Sequence, residues 1–234
     1  VFMRKGKSAL NSVVERYIYD CDEKAYCEEL KGYYGINSAG MINNVALYMP
    51  RTNFLVQKTM DCLKDGRQIL ILSDRREMLK DIEKKMGELG VECGYYIGGM
   101  KQLKLDESVK KPVILATFQM AAEGLDIKTI DTIILGTPKT DIEQAVGRIR
   151  PKIGETKNVP LVIDIVDNFS QFKNQAFARN NFYKKKNYVI HTFSVSKSGE
   201  RIENVGSWNP PEEEDAVPEP SGKKTFVFKL FLDI

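Results

Sequence analysis

Histidine is almost absent: His191 is the only one among 234 residues. A Ser-His-Asp triad would have to use it, and a site built from several histidines is excluded. Cysteine is sparse too. Cys21, Cys27, Cys62 and Cys93 form no C-x-x-C pair, which argues against a zinc knuckle or a thioredoxin-type centre. Four scattered cysteines in a chain of this size read as reduced thiols in an intracellular protein. No apolar run approaches the roughly 18–20 residues of a membrane span, and no signal peptide or targeting segment is visible. No membrane partner is therefore expected. A strong charge of one sign is also missing. The net charge of +3 by itself points neither to a nucleic-acid binder nor to an acidic tail protein. What remains, 42% hydrophobic and 29% charged residues, is the balance of an ordinary globular protein. The first residue is Val1 rather than Met, so the natural start is expected upstream.

Three stretches follow from the patterning. Residues 1–66 are expected to be a mostly helical linker, with a short strand at Tyr17-Ile18-Tyr19. Residues 67–195 are expected to form an α/β domain. Residues 196–234 read as an acidic, Pro-rich linker with a short apolar tail. The middle stretch is the most legible. Gln68 to Ser73 is a continuous apolar run, as in a strand buried on both faces. Asp74 and Glu77 are spaced as a capping box. Met78, Leu79, Ile82, Met86 and Leu89 follow at helical spacing, and Gly90 can end that helix. Further strands are predicted at 91–97, 112–117, 131–136 and 159–166. A second capping box, Thr140 to Glu143, opens a helix predicted to run to Ile149. Strands alternating with helices require right-handed crossovers, so a mainly parallel sheet with helices on both faces is expected. Ligands on such sheets bind beyond the carboxyl ends of the strands.

Two of the loops at that edge have unusual chemistry. In the first, Thr117 ends a strand, small residues follow, and then come Glu123, Gly124 and Asp126. Small residues let backbone approach a ligand, and a hydroxyl with free N–H groups suits a phosphate. The plainer reading is a strand-to-helix turn with a solvated acid. In the second, Arg148, Arg150 and Lys152 follow Gln144 at the end of a helix. Arginine presents a planar fork that matches phosphate oxygens. The plainer reading is a set of cations complementing the helix dipole.

Ala121-Ala122-Glu123-Gly124-Leu125-Asp126-Ile127 and Gln144-Ala145-Val146-Gly147-Arg148-Ile149-Arg150 together resemble motifs V and VI of the superfamily 2 helicases. Ile69 to Ser73 with Asp74-Arg75 is similar to motif IV. Residues 67–150 thus resemble the second RecA-like lobe in order and spacing. Met41-Ile42-Asn43-Asn44, Arg51-Thr52-Asn53-Phe54, the segment 163–169 and Phe182-Tyr183-Lys184-Lys185-Lys186 are similar to the DEAD-like helicases of large nucleocytoplasmic DNA viruses, including the poxvirus transcript-release helicase group. A viral origin would place the protein in host cytoplasm or virion. The resemblance implies a RecA-like fold and an ATP-dependent enzyme. It implies that Thr117, with Ser73, touches nucleic-acid backbone, and that Gly124, Asp126 and Glu123 lie beside the nucleotide. Gln144 and Arg148 would face the ATP phosphates, Arg148 as an arginine finger. The family's second arginine falls where this chain has Pro151, so Arg150, one residue early, is the weaker counterpart.

Such an enzyme needs a first lobe with a phosphate loop and an acidic motif for Mg²⁺. Gly6-Lys7-Ser8 has no preceding strand, and Asp22-Glu23 lacks the usual continuation, so neither supplies it. The first lobe is expected upstream or in trans, and the chain alone is not expected to hydrolyse ATP. Other partners are single-stranded or duplex nucleic acid. From Gln171 to Gly199 there are six cations and no acid, interleaved with aromatics. Lys184 and Lys185 are the backbone-binding candidates there. Phe172, Ala176, Arg179 and Tyr183 have the spacing of a packed helix face instead. From Ile202 to Gly222 there are six acids, no lysine or arginine, and four prolines, as in a flexible linker. The alternative function is a non-catalytic nucleic-acid-binding module that retains the lobe.

Overall fold

The computed structural model describes residues 12–124, 127, 129–147, 158–196, 199 and 202–211. In chain order the elements are β1 (Val13–Tyr19), α1 (Lys24–Cys27), β2 (Lys31–Gly32), β3 (Gly35–Ile36), α2 (Ser38–Leu47) and α3 (Met49–Lys64). Next come β4 (Ile69–Leu72), α4 (Arg76–Glu88), β5 (Cys93–Tyr96), α5 (Gln102–Ser108), β6 (Val113–Ala116) and α6 (Phe118–Gly124). The last are β7 (Thr132–Leu135), α7 (Glu143–Val146), β8 (Leu161–Asp167), α8 (Phe172–Lys185), β9 (Val189–Val195) and β10 (Ile202–Trp208).

Eight strands form one sheet in the order β10-β9-β1-β8-β7-β4-β6-β5. All neighbours are parallel except β10, which runs antiparallel to β9. The expected parallel α/β sheet is therefore present. Alternation along each strand sends side chains to two cores. Tyr17, Tyr19, Ile69, Ile71, Ile163 and Ile165 pack under α2, α3 and α4. Val14, Leu70, Leu72, Ile133, Leu135 and Val162 pack with residues of α6, α7 and α8.

The sheet extends beyond the 67–195 limits expected from sequence. β1 lies within the predicted helical linker, yet it sits between β8 and β9. Glu15 and Arg16 interrupt its apolar pattern, which hid all but its last three residues. The structure accommodates both charges. Tyr17 donates to Glu15 at 2.5 Å, and Arg16 donates to the Ala176 carbonyl at 3.3 Å with Asp164 nearby at 3.8 Å. At the other end, Ile202–Trp208 is a strand rather than linker, because pairing with β9 satisfies its backbone along one side. Residues 212–234, including the apolar tail, lie outside the described residues.

Neither predicted capping box forms. α4 starts one residue late, with Arg75 as its cap and no side-chain cap bond. The Asp74 carboxylate binds Lys139 instead. α7 starts at Glu143 with Ile142 as cap, the Glu143 N–H bonds to Asp141, and the Glu143 carboxylate binds Lys186. Gly90 does end its helix as predicted, with a φ of 75°.

All seven residues of β8 are buried, including Asp164 and Asp167. Asp167 receives Nε and Nη2 of Arg51, at 2.6 and 2.9 Å, and the Tyr26 hydroxyl at 2.5 Å. Asp164, on the opposite face, receives Nε and Nη2 of Arg179 and the Tyr183 hydroxyl. Burial would lower the pKa of both guanidiniums, but the facing carboxylates outweigh it and raise them. Burial and then the same carboxylates raise Tyr26 and Tyr183. Four groups thus keep fixed protonation states across the ordinary pH range.

Removing one partner leaves a buried charge unpaired, which costs roughly 3–5 kcal/mol. Arg51→Ala is accordingly expected to lower unfolding free energy by about that amount in urea titration, and a loss below about 1 kcal/mol would contradict this pairing. Burial pushes the Cys62 thiol up to about 12, and burial with Glu83 does the same for Cys93. Both stay protonated at pH 8, so iodoacetamide should label them at least about tenfold more slowly in native than in denatured protein. Equal rates would contradict their burial.

Candidate functional site

Leu72, Ala116 and Leu135 are level in the sheet, so β4, β6 and β7 end together. The loops that follow build one edge. After β4, Ser73 is fully buried. Its hydroxyl accepts from the Arg75 N–H and donates to the Arg75 carbonyl, both at 3.0 Å. Ser73 therefore shapes the turn, and its hydroxyl is not presented to a nucleic acid, contrary to expectation. Arg75 ties the turn to α2 through Asn43 and the Ala39 carbonyl.

After β6, Thr117 is half-buried and opens α6. Its Oγ accepts a long bond of 3.4 Å from the Met120 N–H, so the hydroxyl is only weakly committed. Phe118 and Ala121 pack inward. Gln119 and Glu123 are exposed and bonded at 2.9 Å. Gly124 is the last residue of α6. Asp126 lies outside the described residues.

After β7, the Gly136 N–H donates to the Leu72 carbonyl at 2.7 Å. A Cβ there would stand 2.7 Å from that same oxygen, so only glycine fits. Thr137 accepts from the Asp74 N–H at 2.9 Å. Lys139 binds the Asp74 carboxylate at 3.0 Å and lies over the Phe118 ring. Two buried arginines hold this loop from opposite faces of the sheet. Arg51 donates to the Gly136 carbonyl at 2.6 Å, and Arg179 to the Lys139 carbonyl at 2.7 Å.

The three loops and α7 enclose a cleft of about 370 Å³, lined by Asp74, Phe118, Gln119, Lys139, Asp141 and Gln144. Gln144 and Glu123 are exposed on α7 and α6 beside it. Of the predicted site residues, Gln144 lines the cleft, Thr117 directly precedes its lining residue Phe118, and Glu123 is tied to it through Gln119. Arg148 and Arg150 lie outside the described residues. Lys184 and Lys185 are not brought to this edge. They sit where α8 turns into β9, whose first residue is level with Val13 and Leu161, the first residues of their strands. That is the amino edge. A larger hollow of about 870 Å³ also opens toward the amino edge, lined by Arg67, Gln68, Lys110 and Pro112, and among the described residues no predicted site residue lines it. Among the described residues no three His, Cys, Asp or Glu side chains converge to hold a metal ion.

Sequence reasoning missed the bracing. Its one visible signal was two aspartates inside the otherwise apolar run of β8. It also passed over Lys139, which pairing with Asp74 draws into the cleft.

Residues 52–150 match the family model of the helicase conserved C-terminal domain. That stretch of the chain is similar to the helicase C-terminal domain. It runs from within α3 to Arg150 and contains every loop that lines the cleft. Relatives come from large DNA viruses. A protein of Acanthamoeba polyphaga mimivirus, provisionally named as an ATP-dependent RNA helicase, is 38% identical over 75% of this chain and 34% of its own. An African swine fever virus protein with the same provisional naming is 32% identical over 58% of this chain and 26% of its own. The chain therefore spans about a quarter to a third of the length of these curated relatives. Both viral matches agree with the narrower resemblance to large-DNA-virus helicases. Among solved structures, T4 UvsW superposes with a TM-score of 0.61, at 16% identity over 78% of this chain and 41% of that one. The last likeness concerns the fold. Among the described residues no helix is long and apolar enough to cross a membrane.

The close approach at Gly136 sets the third prediction. Gly136→Ala should destabilise the protein by about 1–3 kcal/mol, through overpacking between β4 and β7. Thermal unfolding checks this, and an unchanged melting temperature would mean the two loops are not locked together.

Proposed function

We propose that this chain supplies the C-terminal RecA-like lobe of an ATP-dependent nucleic-acid helicase or translocase. The observation that carries the reading is the convergence of the three helicase-like loops on one cleft. Asp74 comes from the first, Phe118 and Gln119 from the second, and Lys139 and Gln144 from the third with its helix. The donor set suits a nucleoside triphosphate. An ammonium and two amides can all bond to phosphate oxygens. When bound, ATP supplies the transferable phosphoryl group. Gln144 would orient it, and Arg148, four residues further along, would stabilise charge that develops in hydrolysis. Arg150 is assigned a supporting part. Glu123, Gly124 and Asp126 are assigned to the nucleotide's flank. Mg²⁺ is assigned to acidic residues of a first lobe, upstream or in trans.

Helix α6 offers the coupling. Phe118, Gln119 and Ala122 line the cleft, while Thr117 opens the same helix at the edge. Closure of the two lobes around nucleotide would shift α6 and so change the grip of Thr117 on a strand. The viral relatives are provisionally named as RNA helicases, which makes RNA the first strand to test.

In the full-length protein, Arg148→Ala should lower nucleic-acid-stimulated kcat by about 10³-fold or more, with KM for ATP changed far less. Arg150→Ala should cost less. Steady-state phosphate release measures both. An unaffected rate in the Arg148 variant would instead favour the non-catalytic binding module.

A further inference from the structure

The outer face of α8 belongs neither to the cleft nor to the loops around it. The helix buries Phe172, Ala176, Arg179 and Tyr183. Lys173, Phe177, Asn181 and Lys184 follow at steps of four, four and three residues, so they line one stripe on the other side. Lys185 flanks its lower end. All five are exposed, and Phe177 is open to 64%, with no packing role that would explain an aromatic there. The helix contains no acid between Phe172 and Lys185. Glu143, facing its end from α7, is already bound by Lys186 at 2.7 Å. Lys186 and, more weakly, Lys185 hold that carboxyl below its usual range. Glu203 stands at the far end of β10 from Trp208. Lys184 lies 5.7 Å from the centre of the Trp208 ring, which adds a second aromatic beside the stripe.

We propose that this stripe is a second binding site for single-stranded nucleic acid, separate from the carboxyl-edge track and independent of nucleotide. The choice of ligand class rests on the helicase reading above. The charge pattern itself is that of a backbone-tracking surface. Three lysines neutralise phosphates, and the Phe177 ring offers a face on which a base can stack. Asn181 lies between them with an amide that can donate or accept. From Lys173 to Lys184 the helix rises about 16 Å, leading from the carboxyl edge of the sheet to its amino edge. A strand held there would be retained while the lobes open and release it from the cleft side.

The test is fluorescence anisotropy of labelled oligouridylate and oligodeoxythymidylate on the whole chain, without nucleotide, across a salt series. Replacing Lys173, Lys184 and Lys185 together by Gln should weaken binding at least about tenfold at low salt and flatten the log–log salt slope by about 2. Phe177→Ala should weaken it about fivefold or more with the slope unchanged. The corresponding triple Lys→Arg variant should bind as wild type, which separates charge from misfolding. Wild-type affinity in both the Gln and Phe177 variants overturns the stripe while leaving the carboxyl-edge reading in place. So does the absence of any strand binding by wild type at low salt. Failure of the helicase reading would show separately, as ATP hydrolysis indifferent to Arg148→Ala.

Discussion

Two carboxylates buried in one strand set the arrangement of this domain. Asp164 and Asp167 project from opposite faces of β8, and neither can remain charged in the interior without a partner. Each takes a guanidinium from a different helix, Arg179 from α8 and Arg51 from α3. Each arginine then has a donor left over. Both spend it on carbonyls of one loop, at Gly136 and Lys139. A buried ion pair is poor evidence for net stability, because desolvation offsets most of the attraction. Its product here is position. The loop between β7 and α7 is clamped from both sides of the sheet, and that loop carries Lys139 and leads to Gln144.

The clamp explains why the cleft is set by the whole sheet rather than by the 52–150 segment alone. Arg179 and both aspartates come from beyond residue 150, and Arg51 falls one residue before 52. β1, inserted between β8 and β9, brings Arg16 alongside Asp164. Changes at these positions act on the cleft through packing, without touching any ligand. The two faces of α8 also differ. Its buried residues complete the Asp164 cluster, while its outer stripe of lysine, phenylalanine and asparagine faces solvent.

Much of the fold was legible from local pattern. The runs at 69–72, 113–116 and 132–135 are uninterrupted and flanked by helical periodicity, so strands buried on both faces were the simplest solution. The buried side of α8 was visible in the spacing of Phe172, Ala176, Arg179 and Tyr183. β1 was not, because Glu15 and Arg16 break its pattern, and the partners that accommodate Arg16, the Ala176 carbonyl and Asp164, are remote in sequence. β10 was hidden by composition, since polar residues at a sheet edge look like linker until a neighbour pairs with them. The capping boxes failed for a related reason. Asp74 and Glu143 had better offers from Lys139 and Lys186, both remote in sequence.

The sequence by itself determined the parallel α/β class, the order of the helicase-like loops and the residue types they offer to phosphate. These follow from periodicity and short motifs, which are local. Only the tertiary structure decided that Ser73 turns inward, that Lys139 joins the cleft and that Lys184 and Lys185 stand at the opposite edge. Ser73 is turned by its bonds to the Arg75 backbone, a local geometry that residue types alone do not reveal. The other two depend on which distant group satisfies a charge, or on which way a helix runs along the sheet.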